Sequence, residues 1–321
     1  MKGQVLALSG GVGGAKLALG LSRILDPEDL LIVANTGDDF EYQGFYICPD
    51  IDTLLYTLGG VSNTATGWGR ADETWSYMQA LQKDDPDEAW FQLGDKDLET
   101  HRYRTQALAA DSSLSEVTAG LARRLQVAPS VLPMSDDPVR TFVLAESDAG
   151  EHWLPFQEYF VKLRCKPRTH RIEFRGSAEA SVSSRLQTAL TERTTRAVVL
   201  CPSNPFLSID PILAIPGMKK LLRDCGAPVI AVSPVVGGRA LKGPTAKIMH
   251  ELGLVPDVAT IAEHYRDVID GLVIDQQDQD ELGRLQAMRV SVSVTNTVMI
   301  SLQDRIQLAT DVLNFASQLA D

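Results

Sequence analysis

Short apolar runs recur along the chain, each ending in a polar stretch rich in glycine, proline or aspartate. Leu6-Ala7-Leu8, Leu30-Leu31-Ile32-Val33-Ala34, Ala197-Val198-Val199-Leu200 and Val229-Ile230-Ala231-Val232 lack the alternation of a strand with one wet face. Such runs read as strands buried on both sides, as parallel strands are. Val131-Leu132, Gly271-Leu272-Val273-Ile274 and Val290-Ser291-Val292-Ser293-Val294 add further strands. Between them, helical spacing returns. Leu17, Leu21 and Leu25 recur at i, i+4 and i+8, Ser113-Leu114-Ser115-Glu116 is a capping box opening a helix to about Leu125, and helices are predicted over 245–252 and 304–319. Strand alternating with helix predicts an α/β fold, a Rossmann-like, mostly parallel sheet.

The pattern changes between Arg140 and about Leu190. Thr141 to Ala145, a turn at Asp148-Ala149-Gly150, and His152-Trp153-Leu154 read as a hairpin, followed by the basic run Lys162, Arg164, Lys166, Arg168, Arg171 and Arg175. This predicts a small inserted α+β subdomain at 140–190, flanked by one Rossmann-like domain made of 1–139 and 191–321. Its positive charge either meets a phosphorylated substrate or forms a solvated surface.

With 321 residues, 44% of them hydrophobic, the chain can bury one large core or two medium ones, and the reading is one large domain with an insertion. Thirty basic against 42 acidic residues give a net charge of -12, which argues against nucleic acid or an anionic membrane as partner. An anionic substrate then needs local help from backbone N–H groups, a few basic side chains or a metal. Cys48, Cys165, Cys201 and Cys225 are far apart, with the spacing of neither a zinc site nor a disulfide framework. No apolar run reaches the length of a membrane span, and the expected location is the cytoplasm.

Candidate chemistry collects at the predicted strand ends, where open α/β sheets bind ligands. Ser9-Gly10-Gly11-Val12-Gly13-Gly14-Ala15-Lys16 leads from the first strand into a helix whose N–H groups and dipole suit an anion. It matches neither the dinucleotide fingerprint nor a P-loop; a ligand-free tight turn is the alternative. The second strand delivers Asn35, where a dinucleotide enzyme usually places an acid. Asp50, after Pro49, is expected as a helix N-cap with Asp52 in the first turn, together reaching one ligand; capping and dipole compensation are the other explanation. Trp68 and Trp75 can stack on a planar ligand or pack a lid. Trp90 to Leu93 is expected to be a strand ending in the turn Gly94-Asp95-Lys96-Asp97, with His101 and Arg104 on the helix after it. Lys96 is a candidate for a phosphate or polar ring edge, Asp136 for a second acidic strand tip, and Ser203, Asn204 and the Ser233 loop for the ligand edge.

Taken in order, Ser9 to Leu17, Asn35-Thr36-Gly37-Asp38-Asp39, Cys48-Pro49-Asp50-Ile51-Asp52-Thr53, Leu93 to Asp97, Leu132 to Pro138, Pro202-Ser203-Asn204-Pro205 and Ser233-Pro234 resemble the 2-phospho-L-lactate transferase family of coenzyme F-420 biosynthesis. The resemblance implies transfer of a phospho-acid group (2-phospho-L-lactate, phosphoenolpyruvate or 3-phosphoglycerate) from a guanosine-diphosphate-linked donor to the deazaflavin Fo. GMP is released, Mg²⁺ takes part, and a guanylyltransferase supplies the donor to what is often a homodimer. Residue by residue it implies Asp50 toward Fo and as a metal-holding group; the strand-end reading adds Lys96 and Asp136 toward Fo and Asp52 beside Asp50 as a catalytic, metal-holding pair. Gly10, Gly11, Val12, Gly13, Gly14, Lys16, Asn35, Ser203 and Asn204 are then expected toward the nucleotide. Many members carry arginine where this chain has Lys96, a point charge in place of a fork. Two other readings stand beside it: a non-catalytic nucleotide-sugar-binding regulator of the related gluconeogenesis-factor family, and an NAD(P)-dependent oxidoreductase.

Overall fold

A computed structural model describes residues 3–148, 150–192, 194–240 and 243–320. The strands are β1 (Gln4–Ser9), β2 (Leu30–Ala34), β3 (Phe40–Tyr42), β4 (Phe45–Ile47), β5 (Ser130–Pro133), β6 (Arg140–Ser147) and β7 (Gly150–Pro155). They continue with β8 (Arg168–Arg175), β9 (Thr195–Leu200), β10 (Val229–Val232), β11 (Val235–Val236), β12 (Arg239–Ala240), β13 (Gly271–Asp275) and β14 (Ser291–Thr295). Seven of them form one sheet in the order β14-β13-β10-β9-β1-β2-β5, with parallel pairing throughout.

The uninterrupted apolar runs follow from burial on both faces. Leu6, Leu8, Leu31 and Val33 point into one core, while Val5, Ala7, Leu30 and Ile32, their neighbours in sequence, point into the other. Helix α1 (Gly11–Ser22) and α2 (Pro49–Leu58) cover the second face. α1 also packs against the closing helix Leu302–Ala320, and Leu17, Leu308 and Val312 belong to one apolar cluster. The sequence-predicted helix ends agree with this helix, and with the helix over Thr245–Glu251, to within two residues.

β6, β7 and β8 form a separate antiparallel sheet, as the hairpin pattern predicts; Ala149, in its turn, lies outside the described residues. Val143, Ala145 and Leu154 of this sheet join the same core as Leu6 and Val33, so the segment is packed onto the main sheet's hydrophobic core.

The strand expected over Trp90–Leu93 does not form. Those residues follow a 3₁₀ turn at Pro86–Glu88 and lead into α4 (Asp95–Ala109), after the intervening α3 (Ser76–Asp84). Their apolarity serves a small aromatic core: Trp90 packs edge-on to Tyr42 at 5.2 Å and Phe91 to Phe40 at 4.9 Å. A run of large rings satisfies burial without any sheet partner, and sequence pattern does not separate the two cases.

Ile32 is fully buried in the middle of β2. Ile32→Ala should lower the unfolding free energy by about 2–5 kcal/mol, read as a lower denaturant midpoint at unchanged m-value.

Candidate functional site

After β1 the chain turns to β2 on one side, and β9 pairs with β1 on the other. That reversal opens a crevice at the carboxyl ends of β1 and β9, the position where open α/β sheets bind ligands. A cavity of about 800 Å³ lies there. Gly10, Gly11, Gly13, Asp38, Asp50 and Ser203 line it, together with the aromatic side chains Trp68, Phe91, Phe156 and Phe160.

The glycines after β1 are the opening of a helix, with Gly10 the extended cap and Gly11 already the first residue of α1. Gly11 has φ +61, the left-handed region that favours glycine. A Cβ on Gly10 would come within 2.5 Å of Asp50 Oδ2 and of Ser208 Cβ, so the close approach of α2 requires its absence. The Gly11 N–H donates to Asp50 Oδ1 at 2.6 Å, and Asn35 Nδ2 donates to Asp50 Oδ2 at 2.9 Å. Behind them Ser203 Oγ accepts from the Gly10 N–H and donates to its carbonyl.

α2 takes Cys48 as its N-cap and Pro49 as its first residue, where the missing N–H is no loss. Asp50 is therefore inside the first turn, in place of the expected cap position, and this aims it at α1. Burial pushes the Asp50 carboxyl up to about 6, against the hydrogen bonds from Asn35 and Gly11. Burial likewise raises Asp38 well above the usual carboxylate range, with Asp50 and Asp39 adding to it. Asp39 is pushed up to about 7 by burial, opposed by Arg140 and by a hydrogen bond from Cys48 Sγ at 3.1 Å.

Asp52 has a different environment from Asp50. Its two oxygens take both terminal nitrogens of the fully buried Arg104, one of them at 3.1 Å. The expected sharing of one ligand by Asp50 and Asp52 is therefore not set up, because the Asp52 charge is already matched by a guanidinium fork. Arg104 Nη1 also lies 3.2 Å from His101 Nδ1, and Tyr56 Oη donates to Asp97 Oδ1. Asp52, Tyr56, Asp97 and His101 all reach the cavity wall.

The other sequence candidates divide. Gly10, Gly11, Val12, Gly13, Lys16, Ser203 and Asn204 line the cavity; Lys16 Nζ donates to the Met299 carbonyl at 2.8 Å. Gly14 is buried against the Ser9 and Ser203 side chains, and Asn35 sits behind Asp50 as its support. Neither of these two is among the cavity-lining residues. Lys96 is also absent from the wall, its Nζ donating to the Ala71 carbonyl. Asp136 instead accepts the Ser115 N–H and hydroxyl at the start of α5 (Leu114–Arg124), because a strand-end aspartate next to a helix entrance is drawn to its free N–H groups. None of the six basic residues from Lys162 to Arg175 lines the cavity; Arg175 stacks on Phe142 at 3.8 Å and Arg171 pairs with Glu173. Sequence reasoning gave no role to Asp38, Tyr56, Asp97 or the segment 297–300, all of which line the cavity. Asp38 and Asp97 stood within quoted acidic motifs, whereas 297–300 carried no signal.

Fold and cavity together define a Rossmann-like α/β protein with a cleft at the carboxyl edge of a parallel sheet, lined by a helix N-terminus and by aromatic side chains. The chain belongs to the family described as 2-phospho-L-lactate transferase CofD, whose model matches residues 5–311, and it is a transferase. The phosphoenolpyruvate transferase of Streptomyces coelicolor is 36% identical over 319 residues, covering 99% of each chain. That of Mycobacterium tuberculosis is 34% identical over 313 residues, covering 91% of this chain and 94% of the relative. A crystal structure of a UPF0052-family protein from Bacillus halodurans matches with a TM-score of 0.64 at 13% identity, covering 98% and 99% of the two chains, and shares the fold.

Two measurements follow from the charges. Removing Arg104 leaves the Asp52 carboxylate buried and unmatched, so Arg104→Ala should cost about 3–5 kcal/mol in denaturant unfolding. Asp38, with its folded-state pKa raised, makes no pH-dependent difference below its unfolded pKa and destabilises increasingly as pH rises from about 4. In EDTA, Asp38→Asn should therefore melt several degrees above the wild type at pH 8, and the gap should close toward pH 4. A gap independent of pH would contradict the buried-charge account.

Proposed function

We propose that the chain moves a phospho-acid group, phosphoenolpyruvate in the first place, from a guanosine-diphosphate-linked donor to the ribityl hydroxyl of the deazaflavin Fo, releasing GMP. The observation that carries this reading is one cavity joining a helix N-terminus and two buried carboxylates to an aromatic wall. The first end suits a diphosphate and the second a planar ring. The names of the curated relatives favour phosphoenolpyruvate over phospholactate as the acid carried.

The reaction joins the acceptor hydroxyl oxygen to the donor phosphorus while the bond from that phosphorus to the GMP oxygen breaks; the hydroxyl proton goes to a carboxylate. Its main demands are in-line placement and neutralisation of the phosphoryl oxygens. The N–H groups of Val12 and Gly13, next to the Gly11 N–H that Asp50 holds, cradle the diphosphate, with Lys16 and Ser203 also among the lining residues. Asp38, whose carboxyl burial raises well above the usual range, is suited to take the proton late in the step.

Asp50 fits a Mg²⁺: it is a cavity-wall carboxylate and, among the described residues, it makes no ion pair, which leaves Asp38 for the proton. Mg²⁺ is held by one or two carboxylates together with substrate phosphates. Asp52 does not fit this role, being matched by Arg104. When bound, the metal would supply positive charge to the phosphoryl oxygens. A cytoplasmic homodimer, fed by a guanylyltransferase, completes the proposal.

The test is to supply Fo, Mg²⁺ and each guanylylated phospho-acid in turn and to detect the deazaflavin product and GMP by mass. Product is expected with the phosphoenolpyruvate donor, and no adduct with any donor would end the proposal. Asp50→Asn should reduce turnover by about 100-fold or more, on the order of 3 kcal/mol.

A further inference from the structure

Asp97 plays no part in the steps above, yet its surroundings are those of a built binding group. It is the third residue of α4, where an acid commonly serves the helix start. That task is already done, because the Glu73 carboxylate accepts the Lys96 and Asp97 N–H groups at 2.8 and 2.9 Å. Asp97 Oδ1 accepts the Tyr56 hydroxyl and lies 3.5 Å from His101 Nε2. A guanidinium only donates, so His101 Nδ1 accepts from Arg104 at 3.2 Å and the ring proton sits on Nε2, on the side of Asp97. Among the described residues no donor reaches Asp97 Oδ2. The residue is 8% exposed, at the wall of the main cavity.

Its place along the cavity matters as well. Six residues of α2 separate Asp50 from Tyr56, about 9 Å along the helix axis. His101 Nδ1 lies 3.7 Å from Asp52 Oδ2, between the two, so the wall runs from the Asp50 end through His101 to the Tyr56–Asp97 pair, a span suited to a short hydroxylated chain, with Trp68 and Phe91 also lining the cavity for a ring.

We propose that Asp97 is the hydrogen-bond acceptor for a hydroxyl of the acceptor substrate's polyol chain, with Tyr56 and His101 holding its carboxylate in position. The assignment rests on the function proposed above. Burial alone would push the Asp97 carboxyl up; His101, then Tyr56 and Arg104, bring it below the usual range, so it stays an acceptor at neutral pH. That low basicity separates its role from proton removal.

The experiment measures binding of two fluorescent deazaflavins to the full chain, Fo with its ribityl chain and an analogue carrying a plain alkyl chain. Asp97→Asn is expected to weaken Fo binding on the order of 10- to 100-fold while leaving the alkyl analogue and GDP at their wild-type affinities. Tyr56→Phe should give a smaller loss of the same selectivity, and it decides the matter should Asp97→Asn fail to fold. Equal affinity for Fo in wild type and variants overturns the assignment, as does an equal loss for both deazaflavins. A wild type that binds Fo and transfers to it keeps the function whatever the variants do; one that binds neither deazaflavin removes the function and this assignment together.

Discussion

The structure turns on the Asp50 carboxylate, which accepts the Gly11 N–H with one oxygen and the Asn35 amide with the other. Those two hydrogen bonds tie α2 to the ends of β1 and β2. They also fix two sequence choices. Gly10 has no side chain because Asp50 occupies the space, and Asn35 stands where a ribose-binding acid would otherwise be found because it must donate toward Asp50. Burying an ionised carboxylate costs free energy, and here the cost is only partly offset, which is why the Asp50 carboxyl is pushed up to about 6. Asp38 and Asp39 add charge of the same sign close by. In the function proposed above, a cation arriving with its anionic ligand would offset the burial of these carboxyls, so the two would bind jointly.

A few residues further along α2, Asp52 resolves the same problem differently. Arg104, wholly buried, matches its charge from within the protein. Two aspartates of one short motif thus divide into a group whose charge is open to a ligand and a group whose charge is spent on the fold. The spent pair has its own consequence, since Arg104 also orients His101 and, through it, the neighbourhood of Asp97.

Much of the fold was legible in the chain. Continuous apolar runs such as Leu30 to Ala34 encode burial on both faces, and the seven-stranded parallel sheet follows from them. The glycine stretch, Asp50 and the Ser203-Asn204 loop were legible as strand-end and helix-opening positions, and they line the cavity. What was not legible depended on partners distant in sequence. Nothing local to Asp52 announces Arg104, nor anything local to Asp136 the free N–H of Ser115. The Trp90–Phe91 rings pack on Phe40 and Tyr42 in a manner that mimics a strand in pattern. The wall at 297–300 is placed by the end of β14 and has no chemical signature.

The central claim is that Asp50, with its carboxylate buried at the start of α1, is the metal-holding group at the phosphate end of the cavity. Counting free Mn²⁺ by electron paramagnetic resonance, as a titration against the protein with GDP, tests it directly. The account predicts Mn²⁺ binding by the wild type that depends on GDP and is lost in Asp50→Asn, whose fold is checked by its melting curve. A folded Asp50→Asn protein that takes up Mn²⁺ as tightly as the wild type would contradict it.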